Sequence, residues 1–190
     1  MTSIKITFLA ILISFCAACA SSNGPVAFSG DVGVLESEAQ QTLTDFVTDH
    51  PASAALADEA FATLVFPSVV KGGFFYGAHY GRGALLQDDT PTEYYSSSSA
   101  SYGFQAGVQR FTYVMFFMNQ EALDYFLSTK GFELGVGPGV TIFNIDVARV
   151  LTTTTVRDDI YACIYDAQGL MAGSGLQGTK ITKLDLDQST

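Results

Sequence analysis

The residues that spell known chemistry are few. Gly173-Ser174-Gly175-Leu176-Gln177-Gly178 reads G-x-G-x-x-G, the string that cradles a pyrophosphate in dinucleotide sites. That chemistry needs a strand before the glycines, a helix opening directly after them and an acid about twenty residues further on. Only twelve residues follow Gly178, and they begin with the strand-prone Thr179-Lys180-Ile181-Thr182, so the string is an accident of composition. Ser99-Ala100-Ser101-Tyr102-Gly103 comes nearest to a hydrolase elbow and lacks its first glycine. The two histidines are His50, beside a proline at a helix end, and His79, set among glycines and aromatics; both read as structural. Asp158-Asp159 and Asp185-x-Asp187 lack the glycine turn and closing Glu of a calcium loop, and Cys163, alone in an apolar run, reads as a small hydrophobe. The expectation is no catalytic residue, no metal ligand set and no cofactor.

What remains is a middle stretch rich in glycine and aromatic residues. The chain has 190 residues, 15 Phe, 9 Tyr and 18 Gly, with 48% hydrophobic and only 15% charged residues. That is enough apolar material for one core, and the aromatics and glycines favour strands and tight turns. Phe74, Phe75, Tyr76 and Tyr80, with Lys71 and Arg82 at the rim, have the make-up of a lipid site: apolar surface with a few placed charges. Nineteen acidic against nine basic residues leave −10, which excludes nucleic acid as a partner. The same net charge sets apolar burial, rather than long-range attraction, as the expected source of lipid affinity.

The N-terminus reads as an address. Lys5, the apolar run Ile6 to Phe15 and the small residues from Cys16 to Ala20 make a secretory signal peptide, too short for a permanent bilayer span. Ala18-Cys19-Ala20 fits a soluble cleavage site; Ala17-Ala18-Cys19 resembles a bacterial lipobox, with Cys16 in the usual leucine position, and makes Cys19 the acylated first residue. The polar stretch from Ser21 to Pro25 suits a tether. The expected organisation is a signal peptide over 1–18, a lipidated N-terminus and tether over 19–32, and a domain over 33–190 on the periplasmic face of an outer membrane, or soluble if cleavage follows Ala20.

The elements that must position the aromatic stretch follow from periodicity. Leu35, Ala39, Leu43, Phe46 and Val47 mark a helix with Glu36 and Glu38 in its first turn. A shorter helix runs from a Ser53 cap to Ala62, and Thr63 to Phe66 reads as a strand closed by Pro67. Gly72 to Gly83 reads as strand with glycine bends, Gln87 to Thr92 as a turn, and Glu93–Gln109 and Phe111–Met118 as two further strands. Asn119 caps a helix closed by Lys130-Gly131, and strands follow at Phe132–Phe143, Ile160–Tyr165 and Gly169–Leu184. The fold class is α+β: a curved, mostly antiparallel sheet or partly closed barrel with a few packed helices.

Leu64 to Phe74 with Gly77 to Leu86, Ser99 to Gln109, Phe116 to Phe126 with Gly131 to Gly135, and Gly169 to Gly178 together resemble the four blocks of the SYLF family, also called the Ysc84 domain. The resemblance runs from about Leu35 to Leu184. It implies a lipid-binding module without enzymatic chemistry, with membrane lipid, of phospholipid or phosphoinositide-like head group, as the partner. The alternative is a scaffolding envelope lipoprotein that binds another envelope protein. Tyr102 and Phe132 stand where relatives often carry tryptophan. Relatives that bind phosphoinositides use a basic N-terminal segment, whereas Glu36 to Asp49 here contains no Lys or Arg; actin binding is not expected of an exported chain.

The address makes a direct prediction. Cys19→Ser should abolish acyl labelling and shift the chain from the membrane to the soluble fraction; a mature N-terminus at Ser21 would show soluble release instead.

Overall fold

The computed structural model describes residues 26–27, 31–129, 131–133, 140–144 and 158–185. The expected signal peptide, Cys19 and most of the tether lie outside the described residues. The elements are β1 (Val26–Ala27), α1 (Val32–Asp49), α2 (Pro51–Glu59), β2 (Ala62–Gly73), β3 (Tyr76–Gln87), β4 (Thr90–Phe117), α3 (Gln120–Ser128), β5 (Phe132–Glu133), β6 (Val140–Asn144) and β7 (Ile160–Asp185). Seven strands form one curled, mostly antiparallel sheet with helices packed against it, an α+β fold as the sequence indicates.

The sheet is built as nested hairpins. Strands β2 and β3 are antiparallel, from Thr63↔Leu86 to Gly73↔Gly77 at the tip. Strand β4 pairs antiparallel with β3 over Thr90 to Tyr102, then antiparallel with β2 over Gly107 to Phe117. Since β2 and β3 run oppositely, the two halves of β4 must also do so, apart from the sheet's twist, and the reversal falls at residues 103–106. There the backbone wraps the hairpin tip: the N–H groups of Gly103 and Gln105 donate to the carbonyls of Phe75 and Phe74, at 3.0 and 2.8 Å. Strand β7 folds around β4 in turn, paired from Phe117↔Ile160 to Tyr95↔Lys183. The short β5 and the parallel β6 add to β7, and β1 pairs in parallel with its end at Leu184 and Asp185.

Strand alternation splits the core into two layers. The concave face holds Leu64, Phe66, Leu85, Met115, Phe117 and Ile160 and is plugged at its base by α3 through Ala122, Leu123 and Phe126. Phe126 packs with its ring 4.8 Å from Tyr95, 4.9 Å from Phe117 and 5.4 Å from Phe132. The convex face holds Val65, Ala84, Leu86, Tyr94, Val114 and Phe116, covered at the same base by Leu35, Ala39, Leu43 and Phe46 of α1 and Leu56 of α2. Tyr165 ties β7 to α1: its ring lies 5.0 Å from Phe46 and its hydroxyl donates to the Thr42 carbonyl at 3.0 Å.

Several element boundaries differ from the sequence expectation. Helix α1 starts three residues before Leu35, capped by Asp31, whose Oδ1 accepts from the Gly33 N–H at 2.9 Å; Glu36 and Glu38 thus lie beyond its first turn. Helix α2 opens on Pro51, two residues before Ser53, because a proline at the first helical position sacrifices no needed donor. Pro67 does not close β2: a bulge between Phe66 and Val69 absorbs it and the strand continues to Gly73. The stretch Gly72 to Gly83 contains a chain reversal at Phe74-Phe75, so it is two strands rather than one. Conversely β4 and β7 each run unbroken, over 28 and 26 residues, where separate strands were expected. Asn119 caps α3 as expected, accepting from the Ala122 N–H at 2.8 Å, but the helix stops at Thr129, whose N–H and hydroxyl return to the Phe126 carbonyl.

Gly107 shows how closely β4 and β7 approach each other. Its φ is +140°, and a Cβ there would stand 1.9 Å from the Leu170 carbonyl oxygen. Gly107→Ala should cost about 2–3 kcal/mol in urea unfolding. Gly178→Ala, where nothing lies within 4 Å of the added carbon, should be neutral or stabilising by up to about 1 kcal/mol.

Candidate functional site

Helices α1 and α2 cover only the base of the convex face. Toward the hairpin tip the same face lies open, and strand register fixes what it presents. On β3 the alternation that puts Ala84 and Leu86 under the helices carries Arg82, Tyr80, Ala78 and Tyr76 onto the open surface. Their neighbours in register are Ser68, Val70 and Gly72 on β2, Ser96, Ser98, Ala100 and Tyr102 on β4, and Lys180 and Gly178 on β7. Val108, paired with Gly72 and Leu170, extends the surface. The apolar side chains are solvent-exposed: Tyr76 by 74%, Tyr102 by 64%, Val108 by 64% and Leu170 by 88%, with Val70, Tyr80, Phe74 and Phe75 about half exposed. Such a contiguous patch on a small domain marks a binding surface.

The patch has relief. Gly72, Ala78, Ala100 and Gly178 form one row across four strands. On its tip side stand Tyr76 and Tyr102, ring centroids 5.2 Å apart; on its other side stand Val70 and Tyr80. The result is a shallow trough with an aromatic wall and a floor of backbone and methyl groups. Phe74 and Phe75, edge to face at 4.6 Å, cap the tip beyond it.

Charge is unevenly spread. The strand segments that build the tip half, residues 68–82, 96–112 and 168–182, contain no Asp or Glu and four cations: Lys71, Arg82, Arg110 and Lys180. Arg82, Arg110 and Lys180 belong to the convex face; the Arg110 Nε donates to the Ser68 hydroxyl at 2.7 Å. The acids gather elsewhere, and residues 31–59 alone carry seven with no Lys or Arg. Net charge therefore misdescribes the field at the tip, which is cationic and apolar together.

Of the six residues expected to bind lipid, Tyr76, Tyr80 and Arg82 share the convex face, Phe74 and Phe75 form the tip, and Lys71 lies on the other side of the sheet. Lys71 pairs in register with His79, two residues beyond the inward-facing Val69. The bulge at Phe66–Val69 decides that side, and periodicity alone does not disclose it. Tyr102, marked in the sequence only as a stand-in for tryptophan, and Val108, Leu170, Lys180 and the small-residue floor were not assigned to the site by the sequence. Their signal was the period-two alternation within β4 and β7, which becomes informative only with the register known.

On the concave side, Lys71, His79, Ser99 and Thr179 form a cross-strand row. The His79 Nε2 lies 3.0 Å from the Ser97 hydroxyl and Nδ1 lies 2.8 Å from the Ser99 hydroxyl, with the ring edge-on to Phe111. Burial, and then the Lys71 ammonium, push the His79 pKa down to about 4. A neutral imidazole spent on two hydroxyls is a structural group and a poor base. Gln105 similarly donates to Ser101 at 2.8 Å. Cys163 is buried under α1, and desolvation holds its thiol far above the usual range, as befits a packing residue. His50 packs tilted against Phe46 and edge-on to Tyr165 instead of capping α2 with its side chain. Among the described residues no group of three or more His, Cys, Asp or Glu side chains gathers to hold a metal, and no helix is long and apolar enough to cross a membrane.

His79 makes stability depend on pH. The unfolded chain takes up its proton near the ordinary value of 6.5, the folded chain not until about 4. Its contribution is whole above that upper value and drains as pH falls through the window, by at most about 1.4 kcal/mol per pH unit. His79→Gln should flatten the fall in unfolding free energy between those limits, measured by denaturant titration against the parent chain; an unchanged slope would contradict the neutral assignment.

Residues 98–187 match the model of the Ysc84 family, described as Las17-binding protein actin regulator. The match takes in the second, third and closing blocks of the resemblance and begins after the first. A search of curated proteins finds no match.

Proposed function

From a chain that belongs to the Ysc84 (SYLF) family by its residues 98–187, we propose an exported, membrane-held module that binds lipid with the open half of its convex sheet face. The family binds lipids or protein partners in general. The observation that carries the reading here is the trough between Tyr76–Tyr102 and Val70–Tyr80, apolar, with Arg82, Arg110 and Lys180 on the same face and Glu133 of β5 in register with Lys180 at its margin. An acyl chain lies along such a floor, while Arg82 and Lys180 meet the phosphate of its head group. Each aromatic that leaves water contributes roughly 1–2 kcal/mol, and each cation near an anionic surface about 1 kcal/mol. The two terms act on one patch, so anionic phospholipid is the preferred ligand despite the acidic chain.

In this reading Cys19 carries the anchor, since stable attachment takes more than one acyl chain, and the module sits on the periplasmic face of an outer membrane. It performs no chemistry of its own and needs no cofactor. Binding to a second envelope protein without free lipid is the runner-up, favoured by the same exposed patch. The actin regulation in the family's description is not carried over to an exported chain.

Vesicle flotation of the chain lacking residues 1–19 tests the lipid reading. Tyr76→Ser and Tyr80→Ser should each lower partition roughly tenfold. Gly178→Val, which fills the trough at a position with free space, should lower it without loss of stability. Arg82→Glu with Lys180→Glu should erase the preference for anionic over neutral vesicles while leaving residual binding. Vesicle binding indifferent to all four changes would refute this face as the lipid site.

A further inference from the structure

At the opposite pole, α1 and α2 do not close fully onto the β2–β3 hairpin. Between them runs a cleft of about 640 Å³. Its lining sets Leu43 and Val47 of α1, Ala57 of α2 and Leu86 of β3 among the polar Gln40, Thr44, Thr48 and Thr63. Phe61 stands at its mouth with half its surface in water, and its backbone is pinned by an N–H donated to the Phe117 carbonyl at 2.8 Å. An exposed aromatic held on a fixed backbone has little entropy left to lose on contact, which is how interface anchors are built.

The rim is acidic. Asp58 lines the cleft from α2, and Asp88 and Asp89 line it from the β3–β4 turn. The Gln40 side chain donates to the Asp89 carbonyl at 2.9 Å, bracing that turn against α1. Around it lies the helical layer of seven acids and no cation. We propose that this cleft docks a basic segment of another protein, with an apolar side chain seated beside Phe61 and flanking Lys or Arg residues at the aspartates.

Charge complementarity selects this occupant over the alternatives. An anionic lipid is repelled by this pole. A second copy would offer its cationic tip, yet two chains of −10 repel each other at a distance, whereas a basic partner is attracted by both the rim and the whole molecule. The site is independent of the tip face, so a failure of either leaves the other standing.

Fluorescence anisotropy on the full chain, with a labelled hexapeptide of sequence lysine-lysine-phenylalanine-leucine-lysine-lysine as the probe, tests the proposal. Asp88→Asn with Asp89→Asn should weaken binding about tenfold; asparagine keeps the left-handed backbone, so the turn survives. Phe61→Ser should weaken it similarly, as should replacing the probe's two apolar residues by serine. Tyr76→Ser, at the other pole, should leave it unchanged. Binding that ignores the cleft substitutions and simply fades with salt would overturn the proposal as nonspecific attraction. Concentration-dependent association of the chain alone in sedimentation, abolished by the same cleft substitutions, would overturn it in favour of a second copy.

Discussion

Two backbone hydrogen bonds at the hairpin tip hold the architecture to its shape. A chain reversal at Phe74-Phe75 leaves carbonyls pointing outward, and a strand that met them edge-on would have to stop or turn. Strand β4 turns, spending its Gly103 and Gln105 N–H groups on those carbonyls. Once it has turned, its two halves grip both sides of the inner hairpin, and β7 has no course but to follow. The concave core, the plug formed by α3 and the open convex face are all consequences of that wrap, since each needs a sheet that curls about one point.

Curling also explains why polar and apolar surfaces fall where they do. At the base, both faces of the sheet are covered, by α3 inside and by α1 and α2 outside, and the strands there are apolar on both sides: Leu64-Val65-Phe66 and Val114 to Phe117 are wholly buried. Toward the tip the helices run out. The concave face there turns to His79, Ser97, Ser101 and Gln105, which satisfy one another in a narrow space, and the convex face turns to tyrosines over small residues. One strand therefore changes its chemistry halfway along, and the charge of the molecule changes sign with it.

The sequence disclosed the parts of this arrangement that depend on local pattern. Leu35, Ala39, Leu43 and Phe46 announced α1 at helical spacing, Asn119 announced the cap of α3, and the density of aromatics and glycines announced a curved sheet. It did not disclose what depends on who pairs with whom. The bulge that carries β2 past Pro67 is invisible to propensity, because proline ordinarily ends a strand, and with it went the side on which Lys71 lies. The strand expected over Glu93–Gln109 does run through Gly103 and Gly107, whose backbone freedom lets it bend without stopping; what was hidden is its continuation through Arg110 into Phe111–Phe117 as one strand. The candidate site was half legible. Tyr76, Tyr80 and Arg82 stand an even number of residues apart and so share a face by strand geometry alone, but the residues opposite them on β4 and β7 are brought in by register.

The wrap bears on where the domain begins. The family match opens at Ser98, which lies within the 28-residue strand β4, after the tight turn and before the reversal. A polypeptide cut there would keep β4 and β7 and lose the hairpin they enclose, leaving the inner edge of β4 with unpaired backbone donors and acceptors over its whole second half. Bare edges of that length recruit other strands and aggregate. The segment that matches the family model is thus shorter than the sheet it belongs to, and the difference is supplied by residues 62–97, which form the hairpin at the centre of that sheet.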